Sequence, residues 1–180
     1  MSQHDELLST IKHTRHDWLN TIQLIKGNLA LGHYKRIEEI IEQITQKSIS
    51  ESKLCNIHAP ELSLFLIGYN WTSQKVDMNY EVIGEVKSLK DWAEPLYLLV
   101  RAIMDHLDRS SSFTSENSVM ITFNFVEEIC SLTFRFVGKT ELKEADWQGI
   151  INRTTDSGLK GSLLHQDRYE CVFTILIKEA

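Results

Sequence analysis

The chain has 180 residues, 42% hydrophobic and 24% charged, with a formal net charge of −6. That length holds one large domain or two small ones, at roughly 150 residues per domain, and excludes a large multidomain enzyme. The apolar share argues against wholesale disorder, and the acidic balance argues against a general nucleic-acid or anionic-membrane binder, which needs a basic footprint.

The first third contains no proline and only Gly27 and Gly32 as glycines. A stretch so poor in breakers reads as helix. Leu8, Ile11, Arg15, Trp18, Ile22, Ile25 and Leu29 are spaced alternately by three and four. That is a heptad seam with one charged interruption at Arg15. Gly32 and His33 supply a stop and a turn. A second apolar run follows at Ile37, Ile40, Ile41 and Ile44, opposite a polar face of Lys35, Arg36, Glu38, Glu39, Glu42 and Gln43. The pattern predicts a hairpin of two long amphipathic helices over residues 1–58. Two helices alone leave their apolar flanks wet, so the bulky seam calls for more helices, from the rest of the chain or from a second copy, and a second copy is the expectation. Two copies about a two-fold axis make a four-helix bundle.

From Pro60 the texture changes, and residues 59–180 read as a second domain. Leu62 to Trp71 is a short apolar helix, and Val76 to Val82 alternates as a strand. Trp92 to Leu107 is an amphipathic helix with Pro95 in its first turn. Val119–Phe125 and Ile129–Val137 pair around a tight Glu127-Glu128 turn. Residues 141–152 read as helix, 153–162 as a polar loop with two glycines, and Tyr169–Lys178 as a closing strand. Helices with largely antiparallel strands predict an α+β sandwich, one layer of each.

No apolar run approaches the roughly 18 residues of a membrane span, and the first ten residues lack the layout of a signal peptide. Cys55, Cys130 and Cys171 are an odd, scattered set without a CxxC pair. These features point to reduced thiols in a cytoplasm and no membrane partner.

The chemistry-bearing stretch is His13-Thr14-Arg15-His16-Asp17-Trp18-Leu19-Asn20. With Arg15 and Trp18 in the seam, His16 falls outside it. Its neighbours along the helix are Lys12 and Asn20, then Gln23 and Gly27. That face is polar and small, so His16 is expected to stand exposed on a rigid helix. The plain alternative is an ordinary solvated face. Two features weigh against it: a charged Arg15 in a seam position lowers core burial, and Asn20 sits one turn on, where it can orient the ring. A free imidazole titrates near about 6.5 and is mostly neutral and nucleophilic at neutral pH. Such a nitrogen can attack phosphorus in line and hold a phosphoramidate. A metal role is less fitting: His13 and His16 share a face, but no third ligand lies near in the sequence.

HTRHDWLNTIQLIKGNL, residues 13–29, together with ESKLCN at 51–56 and YEVIGEVKSL at 80–89, resembles the sporulation initiation phosphotransferase B family of endospore-forming bacteria. A similar His-Asp-x-x-Asn core occurs in sensor histidine kinases of the citrate and dicarboxylate type; the longer match favours the narrower family. The resemblance implies a phosphorelay protein that is not an autokinase. Such a protein takes a phosphoryl group from one receiver aspartate onto a histidine, here His16, and passes it to the receiver aspartate of a transcription factor that commits the cell to sporulation. It also implies a homodimer built on a four-helix bundle, and a C-terminal domain with the fold of kinase ATP-binding domains but without their nucleotide chemistry. No cofactor of its own is expected, the Mg²⁺ being supplied by the receiver.

Around His16, Arg15 can neutralise phosphate charge, Asp17 matches the acidic residue beside the kinase histidine, and Asn20 can bond the imidazole or the incoming receiver. Lys12, Leu19, Gln23 and Gly27 are candidates for the docking surface. In the second domain, His106 stands where a kinase carries its metal-binding Asn, and the stretch from Asp156 to Gly161 reads as a plain loop, not a working nucleotide lid. The competing readings are an autophosphorylating kinase core and a non-catalytic docking module.

Overall fold

A computed structural model describes residues 3–72, 75–112, 115–139, 144–156 and 158–178, without the side chains at 3–7, 144, 145, 153, 155, 156 and 178. It divides into two compact units, Met1–Ile49 and Ser50–Ala180.

The first unit is helical. Helix α1 spans Gln3–Ala30 and α2 spans Tyr34–Cys55, its last turns belonging to the second unit. The break falls at Gly32, whose φ of +70° is the left-handed conformation that closes a helix and that a side chain would resist. His33 N–H donates to Asn28 O at 2.9 Å across that stop. Among the described residues of this unit only Ile40 is buried; Ile25, Ile37 and Ile44 are half-buried. The seam residues Leu8, Ile11, Trp18, Ile22 and Leu29 remain exposed in the single chain.

The second unit is the expected α+β sandwich. Helix α3 (Pro60–Gly68) starts on Pro60, whose missing N–H costs nothing in a first turn, and runs into a 3₁₀ turn at Tyr69–Trp71. Strand β1 (Asp77–Ile83), helix α4 (Ala93–Ser110), strands β2 (Ser118–Val126) and β3 (Ile129–Val137), helix α5 (Glu144–Asp156), and strands β4 (Lys160–Gln166) and β5 (Glu170–Lys178) follow. The sheet order is β1-β2-β3-β5-β4; β1 and β2 are parallel and every other pair is antiparallel. The strands bury alternate residues, such as Val119, Ile121, Phe123 and Phe125 of β2. These pack with Leu62 and Leu66 of α3, Leu96, Val100 and Ile103 of α4, and Trp147 of α5 in one core. Trp147 stacks on Phe173, ring centres 5.3 Å apart.

The stretch 153–162 is not a loop throughout. Helix α5 continues to Asp156 and β4 begins at Lys160. Gly161 lies inside that strand because Thr154 approaches it: Gly161 N–H donates to Thr154 Oγ1 at 3.0 Å, and a Cβ there would meet that oxygen at 2.6 Å. Gly158, at φ +74°, makes the turn between them. Residues 141–143 and Ser157 lie outside the described residues.

The free border of the sheet at β1 is covered by side chains. Asn70 Nδ2 donates to Met78 O at 2.6 Å, while Met78 N–H donates to Asn70 Oδ1 at 3.0 Å. One carboxamide thus stands in for a neighbouring strand. Lys53 Nζ donates to Val82 O and Gly84 O.

Candidate phosphotransfer site

Helix α1 projects His16 into solvent; its side chain is 73% exposed. Nothing bulky stands over it, because its helical neighbours on that face are polar or small. Lys12, His16, Asn20, Gln23 and Gly27 recur every three or four residues, and all are exposed. At 1.5 Å rise per residue they form a stripe about 22 Å long. A Cβ built on Gly27 would meet nothing within 4 Å. The glycine is not forced by crowding; it keeps the stripe low at that end.

The ring is held from one side. Asn20, one helical turn further on, lies with its amide nitrogen 3.2 Å from His16 Nδ1. Asp17 brings Oδ1 to 3.8 Å from the same nitrogen. Both contacts fall on Nδ1. The two ends of a carboxamide are interchangeable by a half-turn, so Asn20 has two pairings. Its N–H can donate to an Nδ1 lone pair, or its oxygen can accept an Nδ1–H.

Arg15 is exposed in the single chain, so its guanidinium is not trapped in an interior. Leu19 is exposed beside the stripe. Thr14 turns its hydroxyl back to Thr10 O at 3.0 Å. His13 is half-buried, unlike His16. Among the described residues no group of three His, Cys, Asp or Glu side chains is placed to hold a metal ion. In the second unit His106 lies on α4, half-buried, with Nε2 shut from solvent and no hydrogen-bond partner.

Comparison with known proteins bears on family and fold. The alpha-helical domain of the SpoOB-type sensor kinase family matches residues 1–57, and the C-terminal domain of sporulation initiation phosphotransferase B matches residues 58–178. Sporulation initiation phosphotransferase B of Bacillus subtilis (strain 168) is 38% identical over 118 residues, covering 66% of this chain. The match spans 62% of that relative's length, less than two thirds. Among solved structures, the blue-light activated histidine kinase of Erythrobacter litoralis EL346 superposes with a TM-score of 0.51 at 12% identity, over 99% of this chain and 60% of the kinase. Its separate histidine kinase domain gives 0.50 at 12%, over 81% and 73%. At that identity the likeness is one of fold. The two family matches together run from residue 1 to residue 178, and the chain belongs to the sporulation initiation phosphotransferase B family.

Proposed function

We propose that this protein is a phosphorelay phosphotransferase whose His16 carries a phosphoryl group from the aspartate of one response-regulator receiver to the aspartate of a second, in the control of sporulation. The observation that carries the reading is an uncovered imidazole whose side-chain contacts among the described residues both fall on Nδ1, on a low-profile helical stripe. The family's relative named as a phosphotransferase supports it.

In the transfer-competent arrangement the carboxamide oxygen of Asn20 accepts a hydrogen bond from Nδ1–H, and the lone pair lies on Nε2. That nitrogen attacks phosphorus; the N–P bond forms as the P–O bond to the donor aspartate breaks, and its electron pair leaves on the carboxylate. The ring keeps its Nδ1 proton and becomes a phosphorylated imidazolium. Asp17, 3.8 Å from Nδ1, faces the positive charge that develops there. No proton has to move. The second transfer is the reverse of the first on another receiver, since acyl phosphate and phosphohistidine are both high-energy. Positioning supplies most of the rate. Lys12, Leu19, Gln23 and Gly27 form the docking strip in this reading, and Arg15 supplies positive charge beside the phosphoryl group.

The Mg²⁺ arrives with the receiver, and the protein uses no nucleotide. His106 supports the latter point, because an imidazole nitrogen is a poor substitute for a carboxamide oxygen toward a hydrated Mg²⁺. The exposed seam from Leu8 to Leu29 supports a homodimer through the helical hairpins. The kinase-like fold keeps one competing reading alive: autophosphorylation from ATP.

The test is to mix the protein with a phosphorylated receiver, and separately with labelled ATP and Mg²⁺. Acid-labile phosphate on His16 from the receiver alone is expected, and His16→Ala abolishes it while the dimer persists. Transfer that survives His16→Ala, or label from ATP on His16, overturns the reading.

A further inference from the structure

The second unit contains a cavity of about 190 Å³ that the relay does not use. It lies between residues 87–92 and the end of the sheet where β2 turns into β3. Its floor is apolar: Leu89, Phe125, Cys130 and Ile177 are all buried there, and the half-buried Trp92 adds an aromatic wall. Burial pushes the Cys130 thiol up to about 12, so it lines the floor as a neutral group. The rim is charged. Lys87 Nζ meets Glu128 Oε1 at 2.7 Å, and Asp91 is exposed on the same rim. Two carboxylates against one ammonium leave the rim with a net negative charge.

The backbone around this cavity is constrained in an unusual way. Among the described residues, only His58 and Glu127 are non-glycine residues at positive φ, at 59° and 53°. Neither lines the cavity itself; Glu127 precedes the lining residue Glu128, and His58 follows Ile57. Glu127 occupies a two-residue hairpin turn where Asn or Gly is the usual choice, and its conformation delivers Glu128 to the rim. The Ile57 carbonyl accepts the N–H of Leu89 on the floor at 2.7 Å. Gly84 presses on Phe125, another floor residue: a Cβ there would lie 2.2 Å from the Phe125 carbonyl oxygen. Local strain of this kind persists where surrounding structure over-determines it, and it concentrates at binding sites.

We propose that this cavity binds a small aromatic amine, with the ring on the floor against Trp92 and the ammonium between Asp91 and Glu128. The volume decides the ring size. A dry apolar cavity of about 150 Å³ holds benzene, so 190 Å³ takes one six-membered ring with a short chain. The rim decides the sign of the charge. The site is independent of the reading of His16.

The test is methyl NMR on the full-length protein, following Leu89, Ile129 and Ile177 during titration with phenethylammonium, phenylacetate and toluene. Saturable shifts are expected with phenethylammonium, at least about fivefold tighter than with phenylacetate. Asp91→Asn, an exposed change that leaves the Lys87–Glu128 pair in place, is expected to reduce that preference, and Asp91→Asn with Glu128→Gln to remove it. Phenylacetate binding as tightly as the amine, a preference that survives the double variant, or no saturable shift with any of the three probes overturns the proposal.

Discussion

The two units use apolar side chains in opposite ways. In the second, Phe123, Leu132, Phe134 and Ile175 are sealed between one sheet layer and three helices. In the first, Trp18 and Ile22 are 53% and 54% exposed and Ile40 alone is buried among the described residues. The second unit is complete as one chain, whereas the first carries a core's worth of side chains with no interior to put them in. Periodic apolar residues therefore say that burial is demanded, not that the same chain supplies it.

The largest expected effect breaks that contrast on the hairpin side. Trp18→Glu with Ile22→Glu places two charges in the seam. Complete loss of self-association at micromolar concentration is expected in sedimentation, with a fall in helical circular dichroism, while the second unit keeps its melting transition. A species that still associates would mean the seam is not the interface. Next comes the core of the sheet. Phe123→Ala is expected to cost about 3–5 kcal/mol in denaturant unfolding of the second unit and to leave association through the hairpin intact. The smallest effect concerns the thiols. Burial raises both Cys130 and Cys171 to about 12 from an unfolded value near 9. The folded state therefore keeps protons that the unfolded chain releases. Their contribution is fully present below pH 9 and is lost as pH rises toward 12, at roughly 1 kcal/mol per thiol for the first unit above 9. Unfolding measured across that range should show the loss, and Cys130→Val should halve it. Iodoacetamide should modify only the exposed Cys55 until the protein unfolds.

Much of this was legible in the sequence. The three-four spacing from Leu8 to Leu29 marks α1, and the i, i+4 relation of His16 and Asn20 foretells their contact, because helix geometry is local. Alternation in Val119–Phe125 and Ile129–Val137 marks β2 and β3. Strand β4 was not legible: Lys-Gly-Ser-Leu-Leu-His-Gln mixes glycine with polar residues, and its pairing slips between Leu163 and His165. Its place comes from β5 and from Thr154, which are tertiary facts. Left-handed backbone at Glu127 was equally hidden, since glutamate does not advertise it, whereas His58 belongs to a residue type enriched there. The cavity draws its walls from segments far apart in the chain.

The carboxamide of Asn70 has a consequence for assembly. By occupying both hydrogen-bonding groups of Met78, and with Lys53 holding two carbonyls further along, it denies an incoming strand its template at that border. Copies of this protein at high concentration would then be turned away from ribbon-like polymers on that side, and Asn70→Ala would be the change that opens the route to fibrils.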